Sequence, residues 1–410
     1  MMQLAKLKSE MYEARSRTDR LFSLMSENAM YERPIPERHR LIFYLGHLEA
    51  FDWNQICRWT LGMPSFHESF DHLFEAGIDP SEGDLPVDRP SDWPTVKEVQ
   101  RYNVRIREEV DRALASAPEY IIHVAIEHRL MHVETNAYLL HHLDSKHKRA
   151  PSNSYPGSSH QVSEDKPKDE MIEIPEGMTT LGRQQEEGFG WDNEFSRHEV
   201  HVPTFLISRY KVTNQQYLQF VQDGGDPPAF WIRQRDTWWL RTMFQEVPLP
   251  LFWPVYVTHR QAQAYADWAG LALPTEAQFH RAAFGTPYGD ERSFPWGNDA
   301  PNLQQGNFAF QAWDPVPVTA HSLGQSGFGV AQMMGNGWEW TSTPFHPFTG
   351  FSPLPTYPGY SARFFDQDHY VVKGGGPYTA GRFLRRSFRN WFRQGYSYAH
   401  TGFRCVQPHK

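Results

Sequence analysis

The sequence predicts an α+β protein of two unlike parts, a four-helix bundle followed by an irregular domain of short strands and loops. Two observations carry this. Residues 1–146 hold long segments, poor in Gly and Pro, with apolar residues at helical intervals. From Met171 the texture turns to short runs separated by Gly turns. A length of 410 residues suits about two domains.

In the first part, helices are expected over 4–26, 39–61, 95–116 and 119–142. Arg33-Pro34-Ile35-Pro36 and a Gly/Pro/Asp-rich passage over 62–94 read as the loops between them. Four long helices joined in this way suggest an antiparallel bundle, whose core is a usual seat for a metal held by facing helices. Residues 147–169 are rich in Ser, Pro, Lys and Asp and lack periodicity, so they read as a linker. In the second part, 170–410, two helices are expected at about 213–221 and 258–269 among strands and long irregular stretches. Gly374-Gly375-Gly376 follows a strand but opens no helix, which argues against a nucleotide site, and no nucleophile elbow is present.

The last helix of the bundle carries the chemistry. His128 and His132 stand four residues apart, so both imidazoles leave one face, one turn apart. That spacing lets two nitrogens meet one ion, and it also fits two solvated histidines. Glu134 falls on roughly the opposite side. A third ligand must come from another helix, and His47 is the strongest candidate, in an apolar stripe of Phe43, Tyr44, Leu48 and Phe51. It reads equally as a satisfied core histidine. Three neutral imidazoles would suit Zn, Fe or Cu and leave coordination positions open.

Composition bounds the partners. A net charge of −8 argues against nucleic acid or an anionic membrane. Two cysteines far apart, Cys57 and Cys405, form no disulfide framework and fit a reducing compartment. The N-terminus has no apolar signal core, and no run of about 18 apolar residues exists to span a membrane. The expected location is the cytoplasm. The heavy load of Trp, Phe and Tyr fits aromatic-lined pockets.

The motifs GNGWEWTSTP (335–344), KGGGPY (373–378), RRSFRNWF (385–392) and TGFRC (401–405), with LPTEAQFHRAA (273–283), resemble the fold of formylglycine-generating enzymes and their C-type-lectin-like relatives. Formylglycine-generating enzymes use a cysteine pair near the C-terminus, and here Cys405 stands alone. The first part resembles the DinB-like helical bundle. In this order the two resemble the sulfoxide synthases of ergothioneine biosynthesis, over essentially the whole chain.

That resemblance implies a non-haem Fe(2+) oxidoreductase with His47, His128 and His132 as ligands. It implies small-molecule partners: Nα-trimethylhistidine (hercynine), a thiol (cysteine or γ-glutamylcysteine) and O2, joined as a sulfoxide at the imidazole C2. It assigns hercynine contact to Asn390 and Trp391, followed here by Phe392. An aromatic face is the natural receptor for a quaternary ammonium, which makes no conventional hydrogen bond, and Trp391 and Phe392 can supply it. The γ-glutamylcysteine users commonly have Asp where Phe392 stands. Met131 replaces a substrate-facing Gln of the family, a polar contact either lost or moved to Asn136 or Gln55. Tyr357 is the expected proton-donating tyrosine, and Arg386 and Arg389, to which the family motif assigns no firm role, either meet a substrate carboxylate or simply hold the fold together. Other readings are a related iron oxygenase, such as a selenoneine or ovothiol-type 5-histidylcysteine enzyme, and a zinc-binding module without catalysis. The thiol and any homo-oligomeric state stay open.

Overall fold

The computed structural model describes residues 2–75, 85–151 and 166–408. The chain divides into two compact units, Met1–Asn153 and Ser154–Lys410. Residues 76–84 of the expected loop and 152–165 of the expected linker lie outside the described residues.

The first unit is built on four long helices: α1 (Met2–Ser23), α2 (Leu41–Asp52), α4 (Val96–Ala113) and α5 (Glu119–His142). Helix α1 buries Leu7, Met11, Ala14, Thr18 and Leu21, a seam with the spacing of a coiled coil, and packs on α5. Helix α4 starts at a capping box in which Thr95 and Glu98 satisfy each other's backbone N–H. Helices α2 and α5 are buried nearly all round, as expected of the two central rods.

Two features depart from expectation. The helix expected over 39–61 is continuous, but from Trp53 to Thr60 it winds as a π-helix. The passage 62–94 is not all loop: α3 (Glu68–Leu73) interrupts it. That short helix is pinned by Asp71, whose carboxylate accepts bonds from Ser65, Phe66, His67 and the Tyr102 hydroxyl of α4. Residues 147–149 still bond to the bundle, since Ser26 N–H donates to the His147 carbonyl and Arg149 N–H to that of Leu24.

Among the described residues the second unit holds four small sheets and three α-helices. Strands β1 (Met171–Ile174), β4 (Phe205–Ser208) and β12 (Val406–Pro408) form one sheet in the order β1-β4-β12. Strands β2 (Gly177–Leu181) and β3 (His198–Val202) form a hairpin. Strands β5 (Trp231–Gln234), β6 (Thr237–Arg241) and β7 (Glu246–Pro248) form a meander. The fourth sheet runs β10-β9-β8-β11, from β8 (Trp338–Pro344), β9 (His369–Lys373), β10 (Asn390–Arg393) and β11 (Thr401–Gly402), with β10 at its edge.

Helices α6 (Asn214–Gln222), α7 (His259–Trp268) and α8 (Glu276–Phe284) each begin at a Thr-x-x-Gln capping box: Thr213 with Gln216, Thr258 with Gln261, Thr275 with Gln278. The sequence reading expected two helices here; the third, α8, sits within LPTEAQFHRAA and buries Phe279, Ala282, Ala283 and Phe284 in the core.

The motif residues hold this unit together. Asn336, at φ +59°, knots three segments: its amide donates to the Val316 carbonyl and to Gln332 Oε1, and its carbonyl accepts from Val316 N–H. Glu339, wholly buried, takes Lys211 Nζ at 2.6 Å and Arg404 Nε at 2.6 Å. The Arg404 guanidinium also donates to the carbonyls of Ser208, Arg209 and Ala331.

Candidate functional site

Three histidines meet inside the bundle. His47 of α2 and His128 and His132 of α5 are all buried, with one nitrogen from each lying within 4.8 Å of the others. His128 Nε2 and His132 Nε2 are 3.2 Å apart. Two nitrogens held about 2.1 Å from one ion at roughly a right angle stand about 3 Å apart, so this separation suits a shared metal. The solvated alternative for the pair is excluded by their burial.

The hydrogen bonding of His47 is compatible with metal ligation. Its Nδ1 lies 2.7 Å from the carbonyl oxygen of Phe74, just past α3. A carbonyl only accepts, so Nδ1 carries the proton and the Nε2 lone pair is bare. Nε2 is buried and has no hydrogen-bond partner among the described residues. An unmet buried acceptor facing two other imidazoles is what a metal ligand looks like without its ion, and an outer carbonyl fixing the tautomer is the usual second partner of such a ligand. Burial drives the pKa of His47 down to about 4 and those of His128 and His132 well below 6.5, so all three are neutral near pH 7, as coordination requires. The donor set therefore fits a divalent transition metal.

Aromatic rings lock the imidazole planes. Phe51 stacks on His128 at 3.4 Å between centroids and 8° between planes, and Phe43 stacks on His47 at 4.8 Å and 20°. Gly46 sets the approach of Phe74, because a Cβ there would lie 2.5 Å from the Phe74 ring. The Phe74 carbonyl comes from a stretch read as loop, so its role was not visible from sequence; Gly46 beside His47 was the one available signal. Replacing Gly46 by Ala should push Phe74 away, release Nδ1 and weaken metal binding about tenfold or more. Isothermal titration with Co(II) checks this, and an unchanged dissociation constant would refute it.

Buried neutral histidines also set an acid limit. His259 (pKa about 4) and His280 (well below 6.5), both in the second unit, are held down mainly by desolvation. A folded pKa below the unfolded value of about 6.5 means the unfolded chain binds more protons as pH falls. Stability is thus full above about 6.5 and is lost through the window from there to about 4. For His259 the difference amounts to about 3 kcal/mol across that window, and His280 acts in the same direction. Metal-free protein should show its urea midpoint fall between pH 7 and pH 5, before ordinary carboxylates titrate, and a flat midpoint would contradict this.

The remaining expected site residues lie as follows. Met131 is half-buried on α5, one residue and so about 100° round from His132. On β10, Trp391 pairs with Val371 while Asn390 and Phe392 pair with Val372 and Tyr370. Successive strand residues face opposite ways. The Trp391 ring accordingly stacks on Phe345 at 4.1 Å and meets Tyr360 and Phe364, whereas Phe392 stacks on Tyr396 and meets Trp340. Trp391 thus faces one side of β10, and Asn390 with Phe392 the other. Tyr357, half-buried, meets Tyr360, which stacks on Trp191. Arg389 is committed to Glu276 and to the carbonyls of His346 and Asn193, and Arg386 to Glu291. These partners suit the fold-holding alternative for both arginines.

Comparison with known proteins follows the same division. Residues 158–409 match the sulfatase-modifying factor enzyme 1-like domain, and residues 10–142 match the DinB superfamily. The chain belongs to the sulfatase-modifying factor enzyme 1-like family. Within that family it carries a DinB-type bundle ahead of the shared domain. It is similar to ergothioneine biosynthesis protein 1 of Neurospora crassa, at 26% identity over 94% of this chain and 55% of that one. It is also similar to hercynine oxygenase of Mycolicibacterium smegmatis, at 37% over 53% of this chain and 56% of that one. The formylglycine-generating enzyme of Thermomonospora curvata is 29% identical over 58% of this chain and 92% of its own. The chain spans about half the length of the first two relatives. Among the described residues no helix is long and apolar enough to cross a membrane.

Proposed function

We propose that this protein is an oxygen-dependent sulfoxide synthase of ergothioneine biosynthesis, acting on hercynine with cysteine or γ-glutamylcysteine. The observation that carries the reading is the buried three-histidine set with a bare, desolvated His47 Nε2. Its likeness to proteins named hercynine oxygenase and ergothioneine biosynthesis protein 1 supports the substrate class. A formylglycine activity resting on a cysteine pair has no support, since Cys405 is alone in its unit, buried, with its thiol pushed up to about 12.

The metal we assign is Fe(2+), held by His47, His128 and His132. When bound, ferrous iron supplies open positions and electrons for joining an imidazole, a thiol and O2. The overall change balances: the imidazole C2–H and the thiol S–H are lost, a C–S bond forms, one oxygen atom becomes the sulfoxide and the other leaves as water. The chain's own residues supply orientation. Neutral imidazoles add no negative charge, so a thiolate is not repelled. Phe43 and Phe51 hold two ligand planes and keep water from their faces. In the same proposal Tyr357 gives up a proton during turnover, Met131 leaves the substrate without the family's amide contact, and Asn390 and Phe392 act from the face of β10 opposite Trp391.

For Trp391 we propose contact with the trimethylammonium group of hercynine. Trp391→Ala should then weaken hercynine binding by about 1–2 kcal/mol, roughly tenfold, with histidine (which lacks the methyl groups) unaffected. Equal loss for both ligands would reject the cation–π contact.

The deciding experiment is anaerobic loading with Fe(II), then oxygen uptake with hercynine and each thiol, with products read by mass spectrometry. A hercynyl–thiol conjugate bearing one added oxygen establishes the activity and names the thiol. Tight zinc binding with no oxygen uptake would overturn it in favour of a zinc-binding module.

A further inference from the structure

Arg129 follows His128 in α5 but reaches in another direction. Its guanidinium is fully buried and closes on α2. Nη2 donates to Asp52 at 2.6 Å, to Glu49 at 2.7 Å and to the Leu48 carbonyl at 3.0 Å, and Nη1 donates to the second Glu49 oxygen at 3.1 Å. Glu49 and Asp52 are buried too. Glu49 also accepts two bonds from Arg107 of α4, which goes on to Asp19 of α1. Arg15 of α1 pairs with Asp111 of α4 at 2.7 Å and approaches Asp52 at 4.0 Å. One charge network thus joins all four long helices.

The network lies beside the metal ligands in sequence and in space. Glu49 is two residues beyond His47 and Asp52 one beyond Phe51, the ring stacked on His128. Buried ion pairs are a poor source of net stability, because desolvation offsets most of the attraction; their best-attested use is to specify register. Register is what this site requires. One ligand comes from α2 and two from α5, and a metal site tolerates about 0.5 Å of error. A slip of a single residue along a helix is 1.5 Å. An apolar seam can repack after such a slip, whereas a planar guanidinium fork on two carboxylates and a carbonyl cannot.

Resting on the reading of the three histidines as a metal site, we propose that the Arg129–Glu49–Asp52 clamp is the positioning device of that site, fixing α5 against α2 so that ligands from two helices converge. Arg129 acts through the helices and touches neither metal nor substrate.

The test is Co(II) titration of the full chain, read by affinity and by the visible spectrum, with the thermal transition of each metal-free protein recorded alongside. The first variant is the triple Arg129→Met, Glu49→Gln, Asp52→Asn, which removes the clamp without stranding a charge. It should stay folded, bind Co(II) at least tenfold more weakly and show an altered visible spectrum. The second, Arg129→Lys, keeps the cation but loses the fork, and should show the same loss should the triple variant not fold. Wild-type affinity and spectrum in either folded variant would overturn the clamp. Failure of the wild-type chain itself to bind Co(II) would instead overturn the metal-site reading and take the clamp's purpose with it.

Discussion

His132→Ala is expected to abolish both metal retention and turnover while leaving the bundle folded. The imidazole is buried, and its Nε2 lies 3.2 Å from that of His128. With the three histidines as the proposed ligand set, its removal leaves two, too few to hold a labile divalent ion against dilution. The fold should survive for a specific reason. In the metal-free protein His132 Nδ1 is buried without a hydrogen-bond partner, so the ring already carries a desolvation cost that its deletion relieves. Metal content by atomic spectroscopy should fall from near one per chain to near zero, with turnover down by at least about a thousandfold, as expected when the group that supplies the chemistry is lost. A variant that kept one tightly held ion would show that His132 is not a ligand.

Arg404→Met is expected to be the most destabilising single change in the second unit. The Arg404 guanidinium meets both oxygens of Glu339 and the carbonyls of Ser208, Arg209 and Ala331, all without solvent access to its side chain. Met matches the length of the stem but leaves Glu339 to Lys211 alone and takes a donor from three carbonyls, of which that of Arg209 keeps the Ala331 N–H. Breaking a buried pair of this kind costs about 3–5 kcal/mol. Arg112, whose partner Glu109 is also exposed, is the control, because such surface pairs contribute little. Chemical denaturation of both variants decides the matter; similar midpoints for the two would refute the argument.

What could be read from sequence follows the range of the interactions. The His128–His132 pair was legible because a helix makes a four-residue interval a shared face. The helix α8 was not expected, although Thr275-x-x-Gln278 is the same box that opens α6 and α7. The opposition of Trp391 and Phe392 follows from strand periodicity once β10 is recognised as a strand. Other contacts depend on which elements meet. Arg129 finds Glu49 across 80 residues, Arg404 finds Glu339 across 65, and no local spacing marks either pair. A mid-helix Arg is read by default as a solvated side chain, which is why the clamp was missed while the adjacent His128 was found.

The tether on His47 has a consequence for how this protein can change. Its outer partner is a main-chain oxygen, so no side-chain replacement at position 74 deletes it. Alanine scanning would register Phe74 as a packing residue and overlook its bond to His47. Substitutions in α3 that spare the anchor Asp71 accordingly leave the bond in place, whereas a one-residue insertion or deletion between α2 and α3 shifts a different carbonyl under the imidazole. Divergence in this connection should therefore proceed by substitution at constant length.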